Sequence, residues 1–98
     1  MWTGTLVLDL RLGDTRSLKQ KRSVVRPLVA ALRRQFDVAV AETGSLELLR
    51  RTEVGVAVVA SDAGRCIEVL DALERFVAAR GEVELLATRR RLYGPEDE

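Results

Sequence analysis

The hydrophobic pattern of this chain switches between period two and period 3.6 in an order that few folds can accommodate. From Thr5 to Leu12 every second residue is leucine, which is typical of a strand with one buried face. A helical pattern follows, then two short strand patterns, a second helical pattern and a last strand over residues 82–93. The order strand, helix, strand, strand, helix, strand limits the chain to a few α+β topologies.

The first helix is predicted from Ser17 to about Gln35. On a helical wheel its apolar face consists of Leu18, Val25, Leu28, Val29, Leu32 and Phe36. Ser17 and Gln20 have the spacing of a capping box, in which the serine oxygen accepts from an early backbone N–H and the glutamine reaches back. Pro27 lies inside this segment. Because an interior proline removes a backbone donor and clashes with the preceding turn, we expect a kink near Ser23.

Ser61 or Asp62 is expected to cap the second helix, and Gly81 is expected to end it in a left-handed conformation. Its buried stripe is predicted to consist of Ala63, Cys66, Ile67, Leu70, Leu73 and Val77. The connection over residues 44–51 has room for one helical turn at residues 46–49. In the last strand the apolar residues that alternate are Val83, Leu85 and Ala87.

These elements predict a ferredoxin-like α+β sandwich of βαββαβ order, a four-stranded antiparallel sheet with both helices on one face. The expected spatial order of the strands is fourth, first, third, second. The leucines at positions 6, 8 and 10 are expected to face the helices. A single domain is predicted over residues 1–94, followed by a frayed acidic tail at residues 95–98.

Three segments resemble a known family. The sequence SLKQKR at residues 17–22 is similar to the S-L-K-x-K-R segment of the YlxP-like family of small bacterial proteins of unknown function. The segments VAVAE at residues 38–42 and GVAVVASD at residues 55–62 resemble its second and third strands. The resemblance implies a ferredoxin-like fold and genes placed beside those of translation initiation and ribosome maturation. It implies no activity, and Pro27 departs from the family's first helix.

Several chemistries are excluded by composition. The chain has no histidine and one cysteine, which removes histidine-assisted nucleophiles, thiolate zinc sites and intrachain disulfides. It has no Gly-rich phosphate loop, no two glycines three residues apart and no asparagine. The first and third strands lack the aromatic residues on which RNA-recognition domains stack bases. We therefore predict no catalytic residue, no metal and no cofactor, and favour a binding module over an enzyme.

The expected location is the cytoplasm, with no membrane partner. Cys66 is predicted to be a buried core thiol, and an unpaired cysteine fits a reducing compartment. Residues 1–12 lack the charged start and continuous apolar run of a signal peptide. No segment approaches the roughly 20 apolar residues of a membrane-spanning helix.

A basic stripe on the first helix is the best functional lead. A helical wheel places its members in one narrow sector opposite the apolar face: Lys19, Arg22, Arg26 and Arg33. Such a row suits phosphate, and it predicts a module that binds RNA or the ribosome. An ordinary solvated helix face remains the alternative. Lys21 falls instead within the apolar sector, where we expect an ion pair with Glu42 or Asp14.

The face of the sheet away from the helices is the second lead. It is predicted to present small and apolar residues, with interaction candidates Val7, Arg11, Ala39, Ala41, Ala57 and Val59. Such a flat patch suits a homodimer or a protein partner, although scattered surface alanines are also common. Trp2 and Tyr93 are expected to be cross-strand neighbours. A small-ligand enzyme or sensor has the least support, and no ligand is identified.

Overall fold

The computed structural model describes residues 1–97 and contains the six predicted elements in the predicted order. The strands are β1 (Trp2–Leu12), β2 (Ala39–Gly44), β3 (Arg51–Ala60) and β4 (Val83–Tyr93). The helices are α1 (Leu18–Gln35) and α2 (Ala63–Ala78), and a 3-10 turn covers Pro95–Asp97. The strands pair antiparallel in the order β2-β3-β1-β4, which confirms the ferredoxin-like α+β fold.

The core lies between the helices and one face of the sheet. Leu6, Leu8 and Leu10 are fully buried there, which confirms the predicted register of β1. The helices contribute a second part of the core: Val25, Leu28, Leu32, Cys66, Leu70, Leu73 and Val77. The remaining core residues come from the strands: Leu12, Val40, Val54, Val56, Val58 and Val83. A Cβ atom on Gly4 would lie 2.9 Å from Cδ1 of Leu70, so α2 approaches β1 closely at this point.

The first helix runs without interruption from Leu18 to Gln35, across Pro27. The Ser17 hydroxyl accepts from the backbone N–H of Gln20 at 3.1 Å, as a capping box requires. The Gln20 side chain reaches one residue further back than predicted and accepts from the backbone N–H of Arg16 at 2.6 Å. The predicted residues therefore fix the start of the helix, although Gln20 accepts from Arg16 rather than from Ser17.

The second helix is capped by Asp62, whose Oδ1 accepts from the backbone N–H of Arg65 at 2.8 Å. The predicted left-handed cap at Gly81 is wrong. No glycine among the described residues has a positive φ, and the helix ends at Ala79 with a right-handed backbone. The chain reaches β4 through Arg80, Gly81 and Glu82, so a left-handed glycine is not required. Within residues 1–97, no helix combines the length and apolar character needed to cross a membrane.

A β-bulge changes the phase of β4. Leu85 lies opposite Leu10, whereas Ala87 lies opposite Asp9, so Leu86 is an extra residue in the strand. Because side chains alternate between faces, one extra residue moves the rest of the strand to the other phase. The predicted alternation is therefore wrong beyond Leu85, and Ala87 lies on the face away from the helices.

The two terminal aromatic residues lie on opposite faces of the sheet, so the prediction that they are neighbours is wrong. Tyr93 pairs with Thr3, on the face away from the helices. Trp2 packs against the core, and a Cβ atom on Gly94 would lie 2.7 Å from its ring. In the tail, the backbone N–H of Gly94 donates to the Asp97 carboxylate at 2.8 Å, and residue 98 lies outside the described residues.

Candidate nucleic-acid interface

Charge is divided unequally between the two helices. Between Leu18 and Gln35 there are six Lys or Arg residues and no Asp or Glu. The second helix has two arginines and three carboxylates, so its net charge is negative. The formal net charge of +1 therefore hides a molecule with one strongly basic helix.

The basic stripe runs along the side of α1 that borders strand β2. Lys19, Arg22, Arg26 and Arg33 are all exposed. However, Arg33 donates to the backbone carbonyl of Val40 at 2.7 Å. The stripe was predicted to lie directly opposite the core. It borders the edge of the sheet instead, because α1 packs beside β2.

A cavity of about 240 Å³ lies between α1 and β2 at the same place. Arg22 and Arg26 line it, together with Glu42 from β2. Leu18 lines it as well and is 42% exposed, although the helical wheel places it on the buried face. The basic stripe therefore borders a small depression with an apolar edge.

Most basic residues outside α1 already have an acidic partner. Nine of the sixteen form ion pairs: Arg11, Arg16, Lys21, Arg50, Arg51, Arg65, Arg80, Arg89 and Arg90. Of the seven that form no ion pair within residues 1–97, five lie on α1: Lys19, Arg22, Arg26, Arg33 and Arg34. Uncompensated positive charge is therefore concentrated on one helix.

Lys21 is buried and fully partnered, unlike the stripe beside it. Its side chain is 3% exposed, and Nζ lies 3.1 Å from Oε2 of Glu42. It also donates to the carbonyls of Ser45 at 2.6 Å and Leu46 at 3.2 Å, so three acceptors match its three protons. The prediction of a Glu42 partner is confirmed. The alternative partner, Asp14, pairs with two arginines instead.

The loop between β2 and β3 is held in place by this lysine. Ser45 has a left-handed backbone with φ of 56°, and its carbonyl accepts from the backbone N–H of Leu48 at 3.1 Å as well as from Lys21. The predicted helical turn at residues 46–49 is wrong, because the segment forms an irregular turn. The turn leaves Leu46 and Leu48 more than half exposed, and Leu46 borders the same cavity as Arg22 and Arg26.

The face of the sheet without helices, called the outer face below, carries all six predicted interaction candidates. One cross-strand row consists of Arg91, Thr5, Ala57 and Ala39, and the next of Arg89, Val7, Gly55 and Ala41. The β4 members of these rows, together with Tyr93, were missed from the sequence. The three consecutive arginines at residues 89–91 were a signal, but the bulge decides which of them face outward.

Ion pairs occupy the acidic end of the outer face. Arg51 lies 2.9 Å from Asp9, and Arg89 lies 3.0 Å from Glu53. The four residues border a cavity of about 260 Å³. Nε of Arg51 is buried without a hydrogen-bond partner. In the part of the chain that the structure describes, no three His, Cys, Asp or Glu residues are arranged to hold a metal ion.

Comparisons with known proteins identify the family of this chain. The family model described as "Protein of unknown function (DUF503)" matches residues 3–90. The "Uncharacterized protein YlxP" of Bacillus subtilis (strain 168) is 30% identical over 76 residues, which cover 78% of this chain and 83% of that protein. The chain therefore belongs to the DUF503 family, the YlxP-like proteins of unknown function.

Proposed function

We propose that this protein is a non-enzymatic module that binds RNA, free or within the ribosome, through the basic stripe on α1. The observation that carries the proposal is the concentration of unpaired positive charge on a helix without a single carboxylate. Contacts between basic side chains and phosphates supply most of the sequence-independent affinity for nucleic acids.

Three members of the stripe are free to contact phosphates. Lys19, Arg22 and Arg26 are exposed and form no ion pair with any described residue. The helical rise of about 1.5 Å per residue separates them by about 4.5 Å and 6 Å along the axis. Arg33 contributes less, because one of its N–H groups is held by the Val40 carbonyl.

The N-terminal end of α1 adds to the same potential. No acidic residue lies in its first turn, and Lys19 is only two residues from the cap at Ser17. The positive end of the helix dipole therefore coincides with the basic stripe, which favours an anion at this end of the helix.

Recognition through this surface is expected to depend little on base sequence. Phosphate contacts position a protein on nucleic acid, whereas base contacts specify the sequence. The outer-face residues of β1 and β3 include no aromatic side chain on which a base would stack. We therefore expect a shape-dependent and salt-dependent binder.

A salt titration of binding to a labelled RNA hairpin tests the proposal. The test variant is Arg22→Glu with Arg26→Glu. The control, Arg65→Glu with Arg75→Glu, changes net charge equally at exposed positions of α2. Each lost phosphate contact removes about 0.7 to 0.9 from the slope of log affinity against log salt.

The expected result is a drop of at least tenfold in RNA affinity, and a shallower salt slope, for the α1 variant alone. Equal losses in the two variants would mean that only net charge matters. No loss in either would reduce the stripe to a solvated helix face. Either of these outcomes overturns the proposal.

A further inference from the structure

The outer face of the sheet has a low half and a tall half. The low half carries methyl groups or hydrogens at Ala39, Ala41, Gly55 and Ala57. A groove of about 410 Å³ is lined here by Ala39, Gly55 and Ala57, and by Thr43, whose side chain lies against Gly55. The tall half is the edge strand β4, which presents the long side chains of Arg89, Arg91 and Tyr93. The rows of Arg91 and Arg89 therefore each run from a long side chain on β4 to a methyl group on β2.

A surface of this shape is complementary to its own image after a half turn. We propose that the outer face pairs with that of a second copy of this chain, around a two-fold axis parallel to the strands and between β1 and β3. This axis exchanges β4 with β2 and β1 with β3. It lays Arg91 over the partner's Ala39, Arg89 over the partner's Ala41 and Val7 over the partner's Gly55.

The unpaired charge of Arg91 distinguishes this axis from the other in-plane two-fold axis. At the acidic end the parallel axis places Asp9 over the partner's Glu53 and Arg11 over the partner's Arg51. Each of these side chains already has a partner of opposite charge within its own copy. An axis perpendicular to the strands places β4 over the partner's β4, so the outward arginines of the two copies face each other. Like charges that face each other without a partner of opposite charge disfavour an arrangement. The parallel axis places the same arginines over alanines.

The charge balance of the outer face favours a second copy over a polyanion. Its four arginines are accompanied by three carboxylates, those of Asp9, Glu53 and Glu84. All three carboxylates pair with arginines of the same face. Among the four arginines of this face, only Arg91 has no ion pair with another described residue. This near-neutral face contrasts with the uniformly basic α1.

The area of the outer face sets the expected affinity of the dimer. Four strands about 4.8 Å apart and seven residues at about 3.4 Å each give an area of about 19 Å by 24 Å per copy. Twice that area is about 900 Å², below the roughly 1,200 to 2,000 Å² that stable specific interfaces bury. We therefore expect a reversible dimer with a dissociation constant in the micromolar range.

Sedimentation equilibrium from about 1 to 500 µM, a range centred on typical weak affinities, tests the interface. Ala39→Arg is expected to give a monomer throughout, because it meets Arg91 of the partner subunit. Ala78→Arg adds the same side chain to the exposed end of α2 and is expected to dimerise like the wild type. Adding Arg91→Glu to Ala39→Arg is expected to restore the dimer, because opposite charges then meet.

Cross-linking tests the axis. Arg91→Cys and Ala39→Cys are made in separate chains, and Cys66 does not compete because it is fully buried. Packed sheets lie about 10 Å apart, so a short bismaleimide can span the two copies. The mixture is expected to give a covalent dimer, whereas Arg91→Cys alone is expected to give none.

Several results would overturn this inference. The first is a monomeric wild type at 500 µM, a concentration well above micromolar dissociation constants. The second is a dimer that neither Ala39→Arg nor its combination with Arg91→Glu changes. The third is cross-linking of Arg91→Cys to itself. If Arg91→Glu weakens RNA binding as much as the α1 double reversal while the wild type stays monomeric, the outer face is a nucleic-acid surface instead. The three results that overturn the inference do not affect the α1 proposal, which is tested by separate variants.

Discussion

At the scale of single residues, Lys21 and Lys19 show how two neighbouring lysines of one helix differ. Lys21 is buried and bonded to Glu42 and two carbonyls, whereas Lys19 is exposed without an ion pair within residues 1–97. The helical period distinguished them correctly, because positions two apart on a helix face different sides. Leu18 and Ile67 were predicted to be buried, but both are 42% exposed. A helical wheel does not show where a helix extends past its sheet.

Lys21→Glu is expected to destabilise the fold by about 3 to 5 kcal/mol, the usual result of breaking a buried ion pair. The new carboxylate would face Glu42 and the carbonyls of Ser45 and Leu46 without a donor. Lys19→Glu is the matched control, expected to change the free energy of unfolding by less than about 0.5 kcal/mol. Urea unfolding at pH 7 measures both, and equal values would mean that Lys21 does not hold the loop.

Leu8→Ala is expected to lower the free energy of unfolding by about 2 to 5 kcal/mol, because the leucine is fully buried between β1 and the helices. Its neighbour Val7 points to the outer face, so Val7→Ala is expected to lower it by less than about 1 kcal/mol. Urea denaturation of the two variants provides the comparison. A loss under about 0.5 kcal/mol at Leu8 would contradict the register.

At the scale of elements, the sequence predicted those features that depend on residues close together in the chain. The order of the elements, the caps at Ser17 and Asp62, and the strand order followed from periodicity and cap chemistry. The bulge at Leu86 did not, because it depends on pairing between strands that are distant in sequence and has no glycine to mark it. The turn at Ser45 depends on a lysine 24 residues earlier. The outward arginines of β4, Arg89 and Arg91, were missed because the bulge determines which face they occupy.

Pro27→Ala is expected to stabilise the protein by about 1 to 2 kcal/mol. Proline in a helix interior costs about 3 kcal/mol relative to alanine, offset in part by its restriction of the unfolded chain. Pro27 is exposed, so the substitution leaves no cavity and adds a backbone donor for Ser23. The midpoint of urea unfolding measures the change. A loss of stability would show that α1 requires the local geometry that proline imposes.

At the scale of the whole molecule, the two proposed surfaces lie on opposite sides of the sheet. The helices cover one face, and the proposed dimer uses the other, so a dimer has four layers with its helices outermost. Each copy then displays its basic stripe, Lys19, Arg22 and Arg26, on an outer surface. The formal net charge of +1 predicted none of this, because it averages a basic helix with an acidic one.

A dimer with two basic stripes is expected to bind long RNA more tightly than short RNA. When one RNA reaches both stripes, the second contact is intramolecular and raises the apparent affinity by up to about 10² to 10⁴-fold. An RNA too short to pass around the molecule engages one stripe only. A longer RNA offers more binding positions, which raises the apparent affinity on its own. At protein concentrations above the dimer dissociation constant, we therefore expect the ratio of long-RNA to short-RNA affinity to exceed tenfold after correction for this effect.

The Ala39→Arg variant separates avidity from charge. As a monomer it is expected to lose the length-dependent gain while binding the short RNA at least as well as the wild type, because it carries one more positive charge. Ala78→Arg carries the same added charge and is expected to keep the gain. Fluorescence anisotropy of the wild type and the two variants with both RNAs, at one salt concentration, measures the six affinities. If Ala39→Arg keeps the full length dependence, the two stripes do not act together on one RNA.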